Sequence, residues 1–190
     1  MKRIVVTLME DRPGVLNRVV SLFRRRGFNI ESLTVGHTDQ PNISRMTVVV
    51  DADEVVVEQI VKQLYKLIDV LKVSDVSEDQ TVIRELALIK VAATASTRAE
   101  IMQIVDIFRA KIVDVAIGSV MVEITGTSSK IDSLIGLLRG FGIKELVRTG
   151  AVAMVRGASG VTRVADADVS APPNGASHNG SQRAVKAAAD

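Results

Sequence analysis

Chemistry is most readily placed in the segment Glu10-Asp11-Arg12-Pro13-Gly14, which joins an apolar strand pattern to a helical one through an acid, a rigid proline and a glycine. Backbone N–H groups opening the helix, around Gly14, Val15 and Leu16, lack intrahelical acceptors and can receive a carboxylate; the bare Cα of Gly14 lets a ligand come close. Asp11 can take an ammonium group at the other end of the same ligand. A free amino acid carries that pair of charges. The same residues also make an ordinary strand-to-helix turn, and the sequence alone leaves both readings open.

Catalytic groups are scarce by comparison. The chain has no cysteine, which excludes thiolate nucleophiles, cysteine-ligated zinc and disulfide frameworks. His37 and His178 are the only histidines, and neither has a second histidine or a carboxylate pair at metal-ligand spacing. His37 therefore reads as a loop-facing residue, and neither a catalytic residue nor a metal site is expected. Phosphate-binding glycine loops of either common type are absent. The run Arg24-Arg25-Arg26 closes a helix, where positive charge complements the helix dipole, or else meets an acidic partner surface. A formal net charge of +2 and five aromatics, Phe23, Phe28, Tyr65, Phe108 and Phe141, argue against a nucleic-acid partner. No apolar run approaches the ~18 residues that span a bilayer, so no membrane contact and a cytoplasmic location are expected.

The elements that must position the turn repeat along the chain. Ile4 to Met9 reads as a buried strand. Pro13 to Arg26 follows as a helix with Leu16, Val19, Val20 and Phe23 on its apolar face, Pro13 in its first turn and Gly27 as its cap. Ile30–His37 and Ile43–Val50 form a hairpin. A helix carrying Val57, Ile60, Val61, Leu64 and Ile68, with Glu58 and Lys62 as an outward pair, leads to a strand over Val70–Val76. After the polar stretch 77–80 the order recurs. Leu86–Ala93 is a strand, Thr97 and Glu100 have capping-box spacing before a helix, and Ile112–Ile117 with Val120–Thr125 make a hairpin. Ser129 and Asp132 open the last helix, and Ile143–Arg148 is the final strand.

The fold class is therefore α+β: two tandem ferredoxin-like βαββαβ domains, residues 1–77 and 82–157, each an antiparallel sheet with helices on one face. The other face needs water, a ligand or another subunit against it. Residues 158–190, rich in Ala, Ser, Gly, Asn and Asp, read as a disordered tail.

Glu10 to Leu16, then Arg26-Gly27-Phe28-Asn29-Ile30-Glu31-Ser32-Leu33 and Ser44-Arg45-Met46-Thr47, closely resemble the ACT domain that opens acetolactate synthase small subunits. Lys62-Gln63-Leu64, Asp69-Val70, Ile107-Phe108-Arg109, Gly126-Thr127 and Arg148-Thr149-Gly150 extend the resemblance to about residues 1–157. It implies a non-catalytic regulatory subunit that activates a large catalytic subunit and confers feedback inhibition by valine in branched-chain amino acid biosynthesis. That partner would join two pyruvates, or pyruvate and 2-oxobutyrate, using thiamine diphosphate, Mg²⁺ and FAD, with no cofactor in this chain. The resemblance also implies a homodimer through the ACT domains. The effector would lie at the seam between copies, contacted by Asp11, Gly14, Val15, Leu16, Asn29 and Ile30. Some members carry asparagine where this chain has Asp11, which would alter the grip on both effector charges. Two rivals stand beside this reading: an ACT sensor serving another enzyme, and an RNA-binding ferredoxin-like domain suggested by Arg26-Gly27-Phe28. The second lacks base-stacking aromatics on its third strand, Ser44 to Val50.

Overall fold

In the computed structural model, which describes residues 1–157, the chain builds two antiparallel sheets of the same topology. The first comprises β1 (Lys2–Glu10), β2 (Ile30–His37), β3 (Ile43–Asp51) and β4 (Val70–Asp75), in the order β2-β3-β1-β4, with α1 (Val15–Arg26) and α2 (Glu54–Leu64) on one face. The second comprises β5 (Thr81–Ala92), β6 (Lys111–Ala116), β7 (Ser119–Gly126) and β8 (Ile143–Arg148), in the order β6-β7-β5-β8, with α3 (Arg98–Ile107) and α4 (Ser128–Leu138). These are ferredoxin-like units, as expected. The expected disordered tail lies outside the described residues.

Alternation along the strands sorts side chains into layers. Val5 and Met9 of β1 and Met46, Val48 and Val50 of β3 join Phe23, Ile60 and Leu64 of the helices in the first core. Phe28 meets Phe23 edge-on, with ring centres 6.0 Å apart, which anchors the chain just ahead of β2. Ala87, Ile89 and Val91 of β5 do the same with Ile101, Val105, Ile131 and Leu134 in the second core.

Several helix boundaries differ from expectation. Pro13 precedes α1 rather than starting it, because Gly14, at φ 88°, is the N-cap and Val15 the first helical residue. The buried face of α1 is Val15, Val19, Leu22 and Phe23, leaving Leu16 and Val20 exposed. Gly27, at φ 71°, caps the other end as read from sequence. Ile68 lies beyond α2 and is exposed, since the helix stops at Leu64. Glu58 and Lys62 pair at 2.6 Å as expected. Thr97 does not cap α3 through its side chain; Thr94 N–H donates to its hydroxyl instead, at 3.0 Å. Thr127, not Ser129, caps α4, and Asp132 turns to Arg148, whose Nη1 donates to it at 2.7 Å.

The larger correction concerns β5. It begins at Thr81, five residues before the expected strand, and its first four residues pair with a strand absent from the sequence reading, β9 (Val152–Val155). This two-stranded ribbon lies on the open face of the first sheet. Ala151 and Ala153, with Ile83 and Val155 beside them, close over Ile4, Val6, Val49 and Val76 in a third core. Part of the face expected to await water, a ligand or another subunit is thus covered by the chain itself.

Candidate functional site

The turn from β1 to α1 is held from several sides. Glu10 N–H donates to the Asp69 carbonyl at 2.9 Å and Asp11 N–H to the Asn42 carbonyl at 2.8 Å, so both ends of the first sheet's loops converge on it. Val15 N–H reaches the Arg12 carbonyl at 3.3 Å and Arg18 N–H the Gly14 carbonyl at 3.0 Å. Unlike α2 and α4, which Asp53 and Thr127 cap through their side chains, α1 opens without a side-chain acceptor. Donors at its first turn therefore face outward with the positive end of the helix dipole. A Cβ built on Gly14 would meet nothing within 4 Å, so glycine is needed here for its left-handed backbone and leaves open space above the turn.

Of the residues singled out in the sequence, Asp11, Gly14, Leu16 and Asn29 are exposed, Ile30 is half-buried and Val15 is buried in the core. Val15 offers no side chain, and its N–H is already turned to the Arg12 carbonyl, so the free donors of the turn lie beyond it. Asn29 and Ile30 stand two and three residues after Gly27, the cap at the far end of α1, so the one helix separates them from Gly14. Neither of the two clefts where the units meet includes any of the set.

His37 was missed as a neighbour of this turn. Its Nδ1 lies 2.9 Å from Asp11 Oδ2 because β2 ends beside the Asn42 loop that receives the Asp11 N–H. No local sequence signal links positions 11 and 37. Both side chains are well exposed, 42% for Asp11 and 84% for His37, so the contact is worth about 0.2–1 kcal/mol. An ammonium arriving at Asp11 must displace or share that contact. His37→Ala should tighten binding of an amino acid about two- to five-fold by calorimetry; weaker binding would show that the imidazole orients Asp11 for the ligand.

The corresponding turn of the second unit is built differently. Thr94 and Thr97 exchange hydrogen bonds through their hydroxyls and N–H groups, and Arg98 Nη2 donates to the carbonyls of Ala116 and Ile117. Thr97 N–H and Arg98 N–H are thus taken by Thr94, and the N-cap position carries a threonine side chain where the first unit has the bare Gly14. Calorimetric saturation at no more than one amino acid per chain is expected.

Two clefts lie where the units meet. One, of about 320 Å³, is lined by Val35, His37, Arg45, Val82, Val152 and Met154 among others. Burial pushes the Arg45 guanidinium pKa down, and its Nη2 donates to the Ala153 carbonyl at 2.6 Å, tying β9 to the first sheet. The other, of about 780 Å³, includes Lys2, Glu31, Glu85 and Arg148. Burial works against the Arg148 charge, but its bonds to Glu85 and Asp132 outweigh that and raise its pKa. Among the described residues no group of three or more His, Cys, Asp or Glu gathers to hold a metal ion, and no helix is long and apolar enough to cross a membrane.

Paired ferredoxin-like units with an uncapped, glycine-opened helix in the first are the architecture of an ACT-domain protein. The family model for the small-subunit ACT domain of acetolactate (acetohydroxyacid) synthase matches residues 6–72, and that for the small subunit of acetolactate synthase matches residues 84–157. The chain is 56% identical over 157 residues to a probable acetolactate synthase small subunit of Archaeoglobus fulgidus, covering 83% of this chain and 98% of that one. It is 53% identical over 158 residues to the acetolactate synthase small subunit of Bacillus subtilis, covering 83% and 92%. The crystal structure of the acetolactate synthase small subunit of Thermotoga maritima superposes with a TM-score of 0.78 at 44% identity, over 83% of this chain and 99% of that one. The chain belongs to the acetolactate synthase small subunits. Membership implies a regulatory, non-catalytic role beside a catalytic large subunit.

Proposed function

We propose that this chain activates the large subunit of acetolactate synthase and makes it sensitive to valine, which binds at the β1–α1 turn of the first unit. The observation carrying this reading is the opening of α1: outward donors, no side-chain cap, a left-handed Gly14 with free space above it, and the Asp11 carboxylate alongside. Valine's carboxylate takes the helix donors and its ammonium takes Asp11. Asn29 and Ile30 contact the effector from the neighbouring copy across a seam between two first units. Leu16, Val20 and Val35, left 37–39% exposed on α1 and the edge strand β2, supply apolar surface for such a seam.

The chemistry stays in the partner: condensation of two pyruvates to acetolactate with loss of carbon dioxide, on thiamine diphosphate with Mg²⁺ and FAD. Valine shifts the complex toward a less active state by no more than its difference in affinity for the two states allows. Calorimetry with valine, leucine and isoleucine, on the chain alone and with the large subunit, tests this directly. Saturable heat with valine is expected in both settings. Absence of heat with all three would overturn the reading. Valine and leucine differ by one methylene, worth ~1–3 kcal/mol in an apolar pocket, so a preference between them of more than about 200-fold is not expected.

A further inference from the structure

Asp69 is the one charged residue among the described residues that is fully buried, at 3% exposure. It sits in the corner between α2 and β4, where its backbone carbonyl already receives the Glu10 N–H. The corner itself does not call for an acid. Burying a carboxylate is expensive unless it is paired, and an apolar or amide side chain would serve local packing at lower cost. The carboxylate is instead occupied by two arginines from the other side of the turn.

Arg18 Nε lies 3.0 Å from Asp69 Oδ2 and its Nη2 donates to Oδ1 at 3.3 Å. Arg12 Nη2 reaches the same Oδ1 at 3.4 Å and also pairs with the Glu10 carboxylate. Arg12 stands two residues before Gly14 and Arg18 four after it, and the Arg18 N–H is bonded to the Gly14 carbonyl. One buried anion thus brackets the glycine from both sides in sequence. The two arginines are themselves more than half exposed, so the fixed point of the cluster is the acid.

We infer that Asp69 is a positioning residue for the effector turn: through Arg12 and Arg18 it holds the first turn of α1 in the geometry that receives the amino acid's carboxylate. This rests on the site proposed above. A turn already ordered before the ligand arrives spares the ligand the cost of ordering it, so loss of the strut weakens binding without removing any atom that touches the effector. The strut also keeps both arginine charges directed at Asp69 and away from the ligand's carboxylate, leaving the helix donors to set its position.

The test uses the chain reconstituted with its large subunit, comparing wild type, Asp69→Asn, Arg18→Gln and the double variant. Activation without valine and the valine concentration giving half-inhibition are read in each. Asp69→Asn is expected to raise the half-inhibitory concentration at least ten-fold while activation stays within two-fold of wild type. A residue needed only for folding would lower both together. The double variant should be no worse than the poorer single one, because both substitutions cut the same strut. Should Asp69→Asn fail to fold, Arg18→Gln carries the test, since Asp69 then keeps Arg12. An unchanged valine response overturns the inference, and so does a tighter one, which would mean that Asp69 competes with the effector for the arginines. A wild-type complex blind to valine would instead remove the site on which the inference depends.

Discussion

Gly14→Asp should abolish valine inhibition while leaving activation of the large subunit in place. Position 14 has a backbone at φ 88°, which aspartate tolerates better than most residues, and a Cβ there meets nothing within 4 Å. The cost to the fold is backbone strain without a steric clash, about 1–3 kcal/mol, and it is shared by any side chain placed there. The new carboxylate stands at the mouth of the helix, where the effector's own must sit, and like charges in such contact cost several kcal/mol. A loss of ~2.7 kcal/mol already corresponds to about 100-fold in affinity, so half-inhibition should move up by at least that factor. Gly14→Asn separates charge from bulk. It has the same shape without the charge and should lose markedly less, as read by calorimetry; equal losses would mean the site is simply blocked, and an unchanged titration would remove the site from this turn.

The second large effect is expected at the joint between the units. Gly150 has φ 83°, and a Cβ there would come within 2.5 Å of Ser32 Oγ and 3.1 Å of Thr34 Oγ1. Those two hydroxyls hold the link before β9: Ala151 N–H donates to Ser32 Oγ at 2.9 Å, and Thr34 Oγ1 donates to the Thr149 carbonyl at 3.2 Å. Gly150→Val combines a β-branched residue in a left-handed conformation with displacement of both bonds. Backbone strain of about 1–3 kcal/mol and roughly 1 kcal/mol per lost bond give a destabilisation of ~3 kcal/mol or more. Urea unfolding followed by circular dichroism should show it as a lower midpoint. Gly150→Ala should fall in between, and a midpoint unchanged by valine at this position would mean the units are not clamped there. Because Ser32 and Thr34 belong to β2, the same variant should also weaken activation if the large subunit reads the relative placement of the two units.

Much of this was legible in the sequence because it is written in local patterns. The strand Ile30–His37, the cap at Gly27 and the hairpin around Gly118 follow from alternation and turn chemistry over a few residues. What escaped depends on partners distant in the chain. Ala151 and Ala153 look like loop residues until Ile4, Val6 and Val49 are placed beneath them. Thr81–Arg84 hides as linker because Arg84 and Glu85 break the apolar run, and only pairing with β9 completes it. At the candidate site, Asp11 and Gly14 could be read from the turn, whereas His37 and Asp69 could not. Their spacings of 26 and 58 residues from Asp11 carry no local signal, and an aspartate that will be buried looks like any other acid in a turn. The missing side-chain bond at Thr97, which does stand at the N-cap of α3, and the misplaced cap at Ser129 have a related cause: hydroxyls two or three residues apart compete for the same N–H groups, and small backbone differences decide between them.

The twelve-residue β5 belongs to both halves of the molecule, hydrogen-bonded within its own sheet along most of its length and laid with β9 across the other at its start. Such a strand acts as a splint. Bending the halves apart would mean peeling an apolar ribbon off Ile4, Val6 and Val49 and withdrawing the Arg45 guanidinium from Ala153, so the molecule answers a load as one stiff lever instead of two beads on a string.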